Sequence, residues 1–231
     1  WLDAFFASYY RRRPVDATFI GVHEHDHALP DLSANGVADL VAEMEALLAT
    51  CPVADREAAL GPRGSALDLD CAVAADFLAI QIAECRGAHF WAGNPCVYTG
   101  EAIFGVLALF LREYAPLPER ARAAVARLRA IPALLAQGRA NLRAAPAEWT
   151  ARAIRECQGA LHFLGAGIDR LILDYGLATP GLRAAADEAA AAFAAYRDWL
   201  RDDLAAHPTA RYAAGSAFFD LLMRRGHHLD H

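Results

Sequence analysis

The sequence predicts an all-α fold: a bundle of about eight or nine mostly antiparallel helices, several of them long. Three observations predict it. The hydrophobic fraction is 56% and alanine leads it; alanine is the best helix former and is poor in strands. Apolar residues recur at three- and four-residue spacing over long stretches. The breaks between these stretches are short and carry Pro, Gly or Asn, as helix–helix connections do, and no hairpin signal interrupts them.

Trp1 to Arg13 reads as a helix that Pro14 stops, with Leu2, Phe5, Phe6, Tyr9 and Tyr10 on one side. Its closing Arg11-Arg12-Arg13 complements the helix dipole. Asp16 to Ile20 fits a short helical turn broken by Gly21, and His23 to Asp31 reads as loop. Val37, Leu40, Val41, Met44, Leu47 and Leu48 mark a helix that Cys51-Pro52 ends. Gly61-Pro62-Arg63-Gly64 is a turn, after which Ser65, with Asp68 three residues on, caps a helix to about Phe90. Gly93-Asn94-Pro95 breaks the chain again. Thr99 or Gly100 then starts a helix to Tyr114 that is apolar nearly all round, the mark of a central helix. Pro116 and Pro118 precede a helix from Arg120 to Ala144, with a kink expected at Pro132. Pro146 opens a long helix with one stripe from Ile154 through Cys157, Leu161, Leu164, Ile168 and Leu171 to Tyr175, ended by Gly176. Within it, Gly165-Ala166-Gly167 reads as close helix packing. Thr179-Pro180 is a cap with Pro at the first helical position, opening a stripe from Leu182 to Leu204. Ser216 to Arg225 is the last helix. No linker is long or biased enough to divide the chain, so residues 1–231 read as a single helical domain.

Charge narrows the partners. All 22 basic residues are Arg, which reads as the drift of a GC-rich genome; the net charge is −6 and the basic residues are scattered. That excludes a nucleic-acid footprint and fits a small-molecule, peptide or protein partner. The five cysteines show no CxxC spacing and are odd in number, so they read as free thiols suited to a reducing compartment, the cytoplasm. The most apolar run, Ala102 to Leu111, is far short of the ~18–20 residues that span a membrane. No signal peptide is visible, and because the chain opens at Trp1 a leader could have been removed.

One motif suggests chemistry. His23-Glu24-His25-Asp26-His27 contains H-E-x-x-H. On a helix that spacing sets two imidazoles on one face to hold zinc, with the Glu acting on the bound water. His23 and His27 are therefore the candidate metal ligands, Glu24 the candidate base, and Glu43 or Glu45 an available further ligand. Against this, Gly21 and Pro30 flank the motif, its leading residues are weak helix formers, and no apolar flank would bury a catalytic helix. The competing readings are a solvated loop, with His23 and Asp26 in local hydrogen bonds, and adventitious metal binding by the alternating histidines. His227, His228, Asp230 and His231 read as a helix C-terminal region, while His89 and His162 read as core or boundary histidines. No residue is assigned a catalytic role; there is no nucleophile elbow, phosphate loop or dinucleotide fingerprint.

Four stretches in order resemble the N-terminal half of the bacterial domain-of-unknown-function family 885. They are Pro14 to Asp26 with Leu29 to Ser33; Asn94-Pro95 with Tyr98; Ala126 to Leu135 with Ala140-Asn141-Leu142; and Gly215 to Phe219 with Leu222 and His227-His228-Leu229. Together they cover nearly the whole chain. The family is similar to long-helix zinc carboxypeptidases and dipeptidases, with its own H-E-x-x-H helix in a C-terminal half absent from this sequence. The resemblance thus implies a non-catalytic, N-terminal half of a larger two-part fold. It would be one wall of a peptide or small-molecule cleft, completed by a missing C-terminal segment or second chain, with zinc held in the completed protein. It aligns His23 to Asp31 with an early G-x-H-x-x-D loop, and His23, Asp26, Asp31, Asn94 and Tyr98 match recurrent positions without an assigned role. Two alternatives stand beside it: a stand-alone helical binding or scaffold protein, and a self-contained zinc hydrolase using His23, Glu24 and His27.

Overall fold

A computed structural model describes residues 1–53, 59, 61 and 65–229. Its helices are α1 (Leu2–Arg12), α2 (Pro14–Ile20), α3 (Ala34–Ala49), α4 (Ala66–Gly87), α5 (Cys96–Leu111), α6 (Leu117–Asn141), α7 (Ala147–His162), α8 (Ile168–Asp174), α9 (Leu182–Asp202) and α10 (Ser216–Leu221). π-helical turns follow α7 (Phe163–Gly167) and α10 (Leu222–Gly226), and a short 3₁₀ turn covers Leu204–Ala206. The all-α reading is borne out. Extended pairing among the described residues comes down to an isolated bridge between Ala145 and Pro208.

Local chemistry explains the ends. Pro14 stops α1 and opens α2, its fixed φ suiting the first helical position. Gly21, at φ 100°, closes α2 in the left-handed conformation that glycine adopts without a steric penalty. Ser65 and Asp68 form the reciprocal capping box at the start of α4: the Ser65 hydroxyl accepts from Asp68 N–H at 3.1 Å, and Ser65 N–H donates back to the Asp68 carboxylate. The turn expected at Gly61-Pro62-Arg63-Gly64 includes residues 62–64, which lie outside the described residues, as do Asp230 and His231.

The chain groups into two compact units. The smaller comprises Trp1–Tyr9, Ala34–His89 and Tyr212–His231. Its core is Phe5, Met44, Ala74, Leu78 and Ile82, packed by Trp1, Leu40, Val41 and Phe77. Buried Asp76 on α4 accepts from Arg225 at 2.7 Å and has His228 within 3.8 Å, which ties the C-terminal segment to α4. His89 is buried and bonds the Tyr212 carbonyl.

The larger unit comprises Tyr10–Ser33 and Phe90–Arg211. Its core runs along α5, α6, α7 and α9, with Tyr98, Val106, Leu109, Leu128, Ile131, Leu164, Phe193 and Leu200 fully or almost fully buried. Each such side chain contributes about 1.5–3 kcal/mol by leaving water. The central position expected of α5 is found: it packs on α2, α6 and α7.

Three expectations are corrected. Helix α5 starts at Cys96, earlier than Thr99, because the Asn94 side chain accepts from Cys96 N–H at 3.0 Å and satisfies the helix start. Helix α9 starts at Leu182, after Gly181 at φ 79°; Thr179 and Pro180 form the turn before it, and Leu182 N–H bonds the Thr179 carbonyl. The stripe from Ile154 to Tyr175 is interrupted by the π turn at Phe163–Gly167. A π turn takes one extra residue, and Tyr175 is 68% exposed rather than in the core. Gly165 and Gly167 belong to that turn, and a Cβ would meet nothing within 4 Å at Gly165 and only the Phe163 ring at Gly167, so neither glycine is required by a helix packed against it.

Candidate functional site

The best-organised polar cluster lies in the larger unit, where the loop after α2 meets α5 and α6. Gly21 turns the chain out of α2, and Val22 N–H returns to the Ala17 carbonyl at 2.8 Å. The next residues form a tight turn that buries Asp26. Three side chains converge on its carboxylate. The Thr18 hydroxyl donates to Oδ1 at 2.5 Å, the Tyr114 hydroxyl donates to Oδ2, and His23 Nδ1 lies 3.1 Å from Oδ2. An ionised carboxylate accepts only, so His23 carries its proton on Nδ1. The His23 ring also stacks on Tyr114, with centroids 3.5 Å apart and planes within 5°. Burial, followed by the bond to Asp26, pushes the Tyr114 phenol well above its usual range.

Arg127 on α6 anchors the cluster from below. It is fully buried. Its guanidinium donates to the carbonyls of Ala28 (2.8 Å), Gly105 (2.6 Å) and Pro14 (2.9 Å) and to the Thr18 hydroxyl (2.7 Å). One cation thus fixes α2, α5 and the loop together, a task for which the five-donor fork suits Arg and not Lys. Burial brings its pKa down to about 10. Glu101 on α5, half-buried, is pushed up to about 7 by burial and then by Asp16, against Arg13 and Arg127.

The structure places the sequence candidates as follows. His23-Glu24-His25-Asp26-His27 is a turn, not a helix, and Glu24 and His27 are exposed. The geometry that H-E-x-x-H chemistry needs is absent: His23 Nδ1 faces Asp26 and its ring is clamped on Tyr114. Glu45 is paired with Arg86 in the smaller unit. Among the described residues no group of three or more His, Cys, Asp or Glu is gathered to hold a metal. These residues do not fit a zincin site.

Asp31, Asn94 and Tyr98 brace the same unit. The Asp31 carboxylate accepts from Gln137 Nε2 at 2.9 Å and from Ser33 N–H. Asn141 Nδ2 donates to the Leu32 carbonyl (2.7 Å) and to the Tyr98 hydroxyl (2.8 Å), while that hydroxyl donates to the Trp91 carbonyl. The thiols of Cys96 and Cys157 are each pushed up to about 12, by burial first, which disfavours the thiolate form. Among the described residues no helix is long and apolar enough to cross a membrane.

Thr18, Tyr114, Arg127 and Glu101 were not singled out by sequence reasoning. For Arg127 a signal existed: it interrupts the buried stripe of Ala124, Leu128 and Ile131 at helical spacing. A pocket of about 200 Å³ opens beside the cluster, lined by Thr18, Phe19, His23, Leu111, Arg112 and Tyr114 among others.

The family model described as bacterial protein of unknown function (DUF885) matches residues 14–231. The chain belongs to this family. The resemblance drawn from the His23–Asp31 loop, Asn94-Pro95 and Tyr98 is therefore borne out, and these DUF885 positions have the loop-bracing geometry just described. No curated protein matches. Among solved structures, a protein from Shewanella oneidensis titled a "putative lipoprotein of unknown function" is similar, with 22% identity and a TM-score of 0.74. The match covers 88% of this chain and 37% of that one. It shows the fold, and this chain spans little more than a third of that protein's length.

Proposed function

We propose that this chain is the N-terminal helical part of a larger metallopeptidase-like hydrolase. It forms a wall of the substrate cleft and leaves the chemistry to the remainder of the protein. One observation supports the part-of-a-larger-protein reading, the recurrence of the same fold as 37% of a longer chain; the hydrolase class comes from the family resemblance alone. The cluster around Asp26 supports the non-catalytic part of it. Apart from His23 Nε2, its donors and acceptors are spent on one another and on backbone carbonyls, as in a brace, and it offers no nucleophile.

An apolar face supports the larger-fold part. Phe19, Ile20, Phe104 and Leu111 are 45%, 54%, 37% and 58% exposed, and the Phe19 and Phe104 rings lie 5.5 Å apart. A clustered apolar surface of this kind favours a covering partner over a stand-alone scaffold.

The test is the intact mass of the natively expressed gene product, with zinc analysis of the same sample. A product well above 24.9 kDa, or a tightly held second fragment, with about one zinc per complex, is the expected result. A product of this mass alone without metal would overturn the reading in favour of a binding module.

A further inference from the structure

Beside Asp26 the His23 ring is held on two sides, by the Asp26 carboxylate at Nδ1 and by the Tyr114 face. Its Nε2 is left for something else. The ring lines the 200 Å³ pocket, whose apolar walls are Phe19, Ala108 and Leu111. Arg112, which is exposed, also lines the pocket. Its guanidinium lies 5.4 Å from the Phe19 ring centroid, and among the described residues it makes no ion pair.

We propose that this pocket binds a small monocarboxylate with a short branched or aromatic apolar tail. The carboxylate is held between Arg112 and His23 Nε2, and the tail lies against Phe19, Ala108 and Leu111. Arg112 supplies the forked donors that suit a carboxylate. His23 takes one proton from solvent as the anion binds. The imidazolium then donates from Nδ1 to Asp26 and from Nε2 to the ligand, so one cationic ring bridges two anions. Asp26 contributes orientation: with the ring fixed, little side-chain freedom is lost on binding. A free cation is disfavoured by Arg112. The small volume limits the ligand to a fragment such as the C-terminal end of an apolar amino acid. The inference does not need the hydrolase reading, although the pocket shares Phe19 and Leu111 with the apolar face described above.

The experiment is an imidazole ¹H–¹³C NMR titration of the full chain with isovalerate, with isovaleramide and inorganic phosphate as comparisons. His23 is assigned as the resonance missing from His23→Gln, or by its ring–ring contact with Tyr114 if that variant does not fold. Saturable movement of the His23 signals by isovalerate, with an affinity of roughly millimolar order, is expected. Exposed Arg112→Gln should weaken it about tenfold or more, and the amide should produce no saturable shift. The proposal is overturned if isovalerate leaves His23 unmoved, if the amide or phosphate moves it equally, or if Arg112→Gln binds like the parent. Zinc content and chain length, which decide the hydrolase reading, do not enter this result.

Discussion

Arg127 shows how much one residue can organise. Its fork reaches four carbonyls and one hydroxyl belonging to α2, α5 and the loop. Replacing it with Met would leave those carbonyls buried and unmatched, at about 1–3 kcal/mol for each group that water cannot reach. Arg127→Met is therefore expected to lose about 3–5 kcal/mol in urea denaturation, and Arg127→Lys a smaller part. A loss under about 1 kcal/mol for Met would show that the carbonyls are met by water. Glu101 carries a pH signature. Burial holds its folded pKa near 7, above the ordinary 4.5. The folded chain therefore binds more protons than the unfolded chain between those values. Stability linked to Glu101 is complete below about pH 4.5 and declines as pH rises through 7. Glu101→Gln should flatten that decline and gain about 1–2 kcal/mol at pH 8 relative to pH 5, after allowance for screening; parallel stability–pH curves for the two proteins would refute it. Composition hid both residues. In a chain whose cations are all Arg, the type alone said nothing, and only the position of Arg127 within an apolar stripe marked it.

At the scale of elements, periodicity located the helices because each stripe meets a core that rewards it: Ala186, Ala189, Phe193, Tyr196 and Leu200 are all buried along α9. Stops were legible where they depend on one residue's conformational freedom, as at Gly21 and Gly176, both at positive φ. Starts were less legible. Asn94 and Gly181 act through side-chain bonding and a left-handed turn that several spacings allow. The π turn at Phe163–Gly167 left no mark in the apolar pattern, since Leu164 and Ile168 keep four-residue spacing through it. What holds it is distant in sequence. Arg183 on α9 donates to the Leu164 carbonyl at 2.6 Å and to the Gly165 carbonyl at 3.3 Å, while pairing with Asp169 and Asp187. Arg183→Ala is expected to cost about 1–2 kcal/mol and to speed amide exchange across residues 164–170 more than elsewhere in the unit. Unchanged exchange there would mean that the turn is held by its own helix. The polar site followed the same division. The loop around His23 and Asp26 was readable from Gly21 and Pro30, but its partner Tyr114 lies 88 residues from Asp26 and was not.

For the whole molecule, the two compact units differ in how they are built. The larger is nearly continuous from Phe90 to Arg211, and its core extends along α5, α6, α7 and α9. The smaller is assembled from three separated segments around Phe5, Met44, Ala74, Leu78 and Ile82. No composition shift marks the boundaries; that between Tyr9 and Tyr10 falls inside α1. A core of few side chains gives its helices less to lose on opening, and joining distant segments adds loop-closure entropy to its assembly. Native-state hydrogen exchange should therefore rank the units. The slowest amides are expected in α6 and α9, at the Leu128, Ile131, Phe193 and Tyr196 positions, and should exchange only through global unfolding. Those of α4 near Leu78 and Ile82 should exchange through an opening at least about 1–2 kcal/mol cheaper. In low denaturant the α4 amides should then exchange while those of α6 stay protected. If the amides of α4 and α6 merge into one exchange isotherm at every denaturant concentration, the units unfold as a single cooperative block and the ranking fails. If they separate, stability in this chain is graded from the α6–α9 core outward. Substitutions at Phe5 or Met44 would then loosen the smaller unit while leaving the Asp26–Arg127 cluster folded.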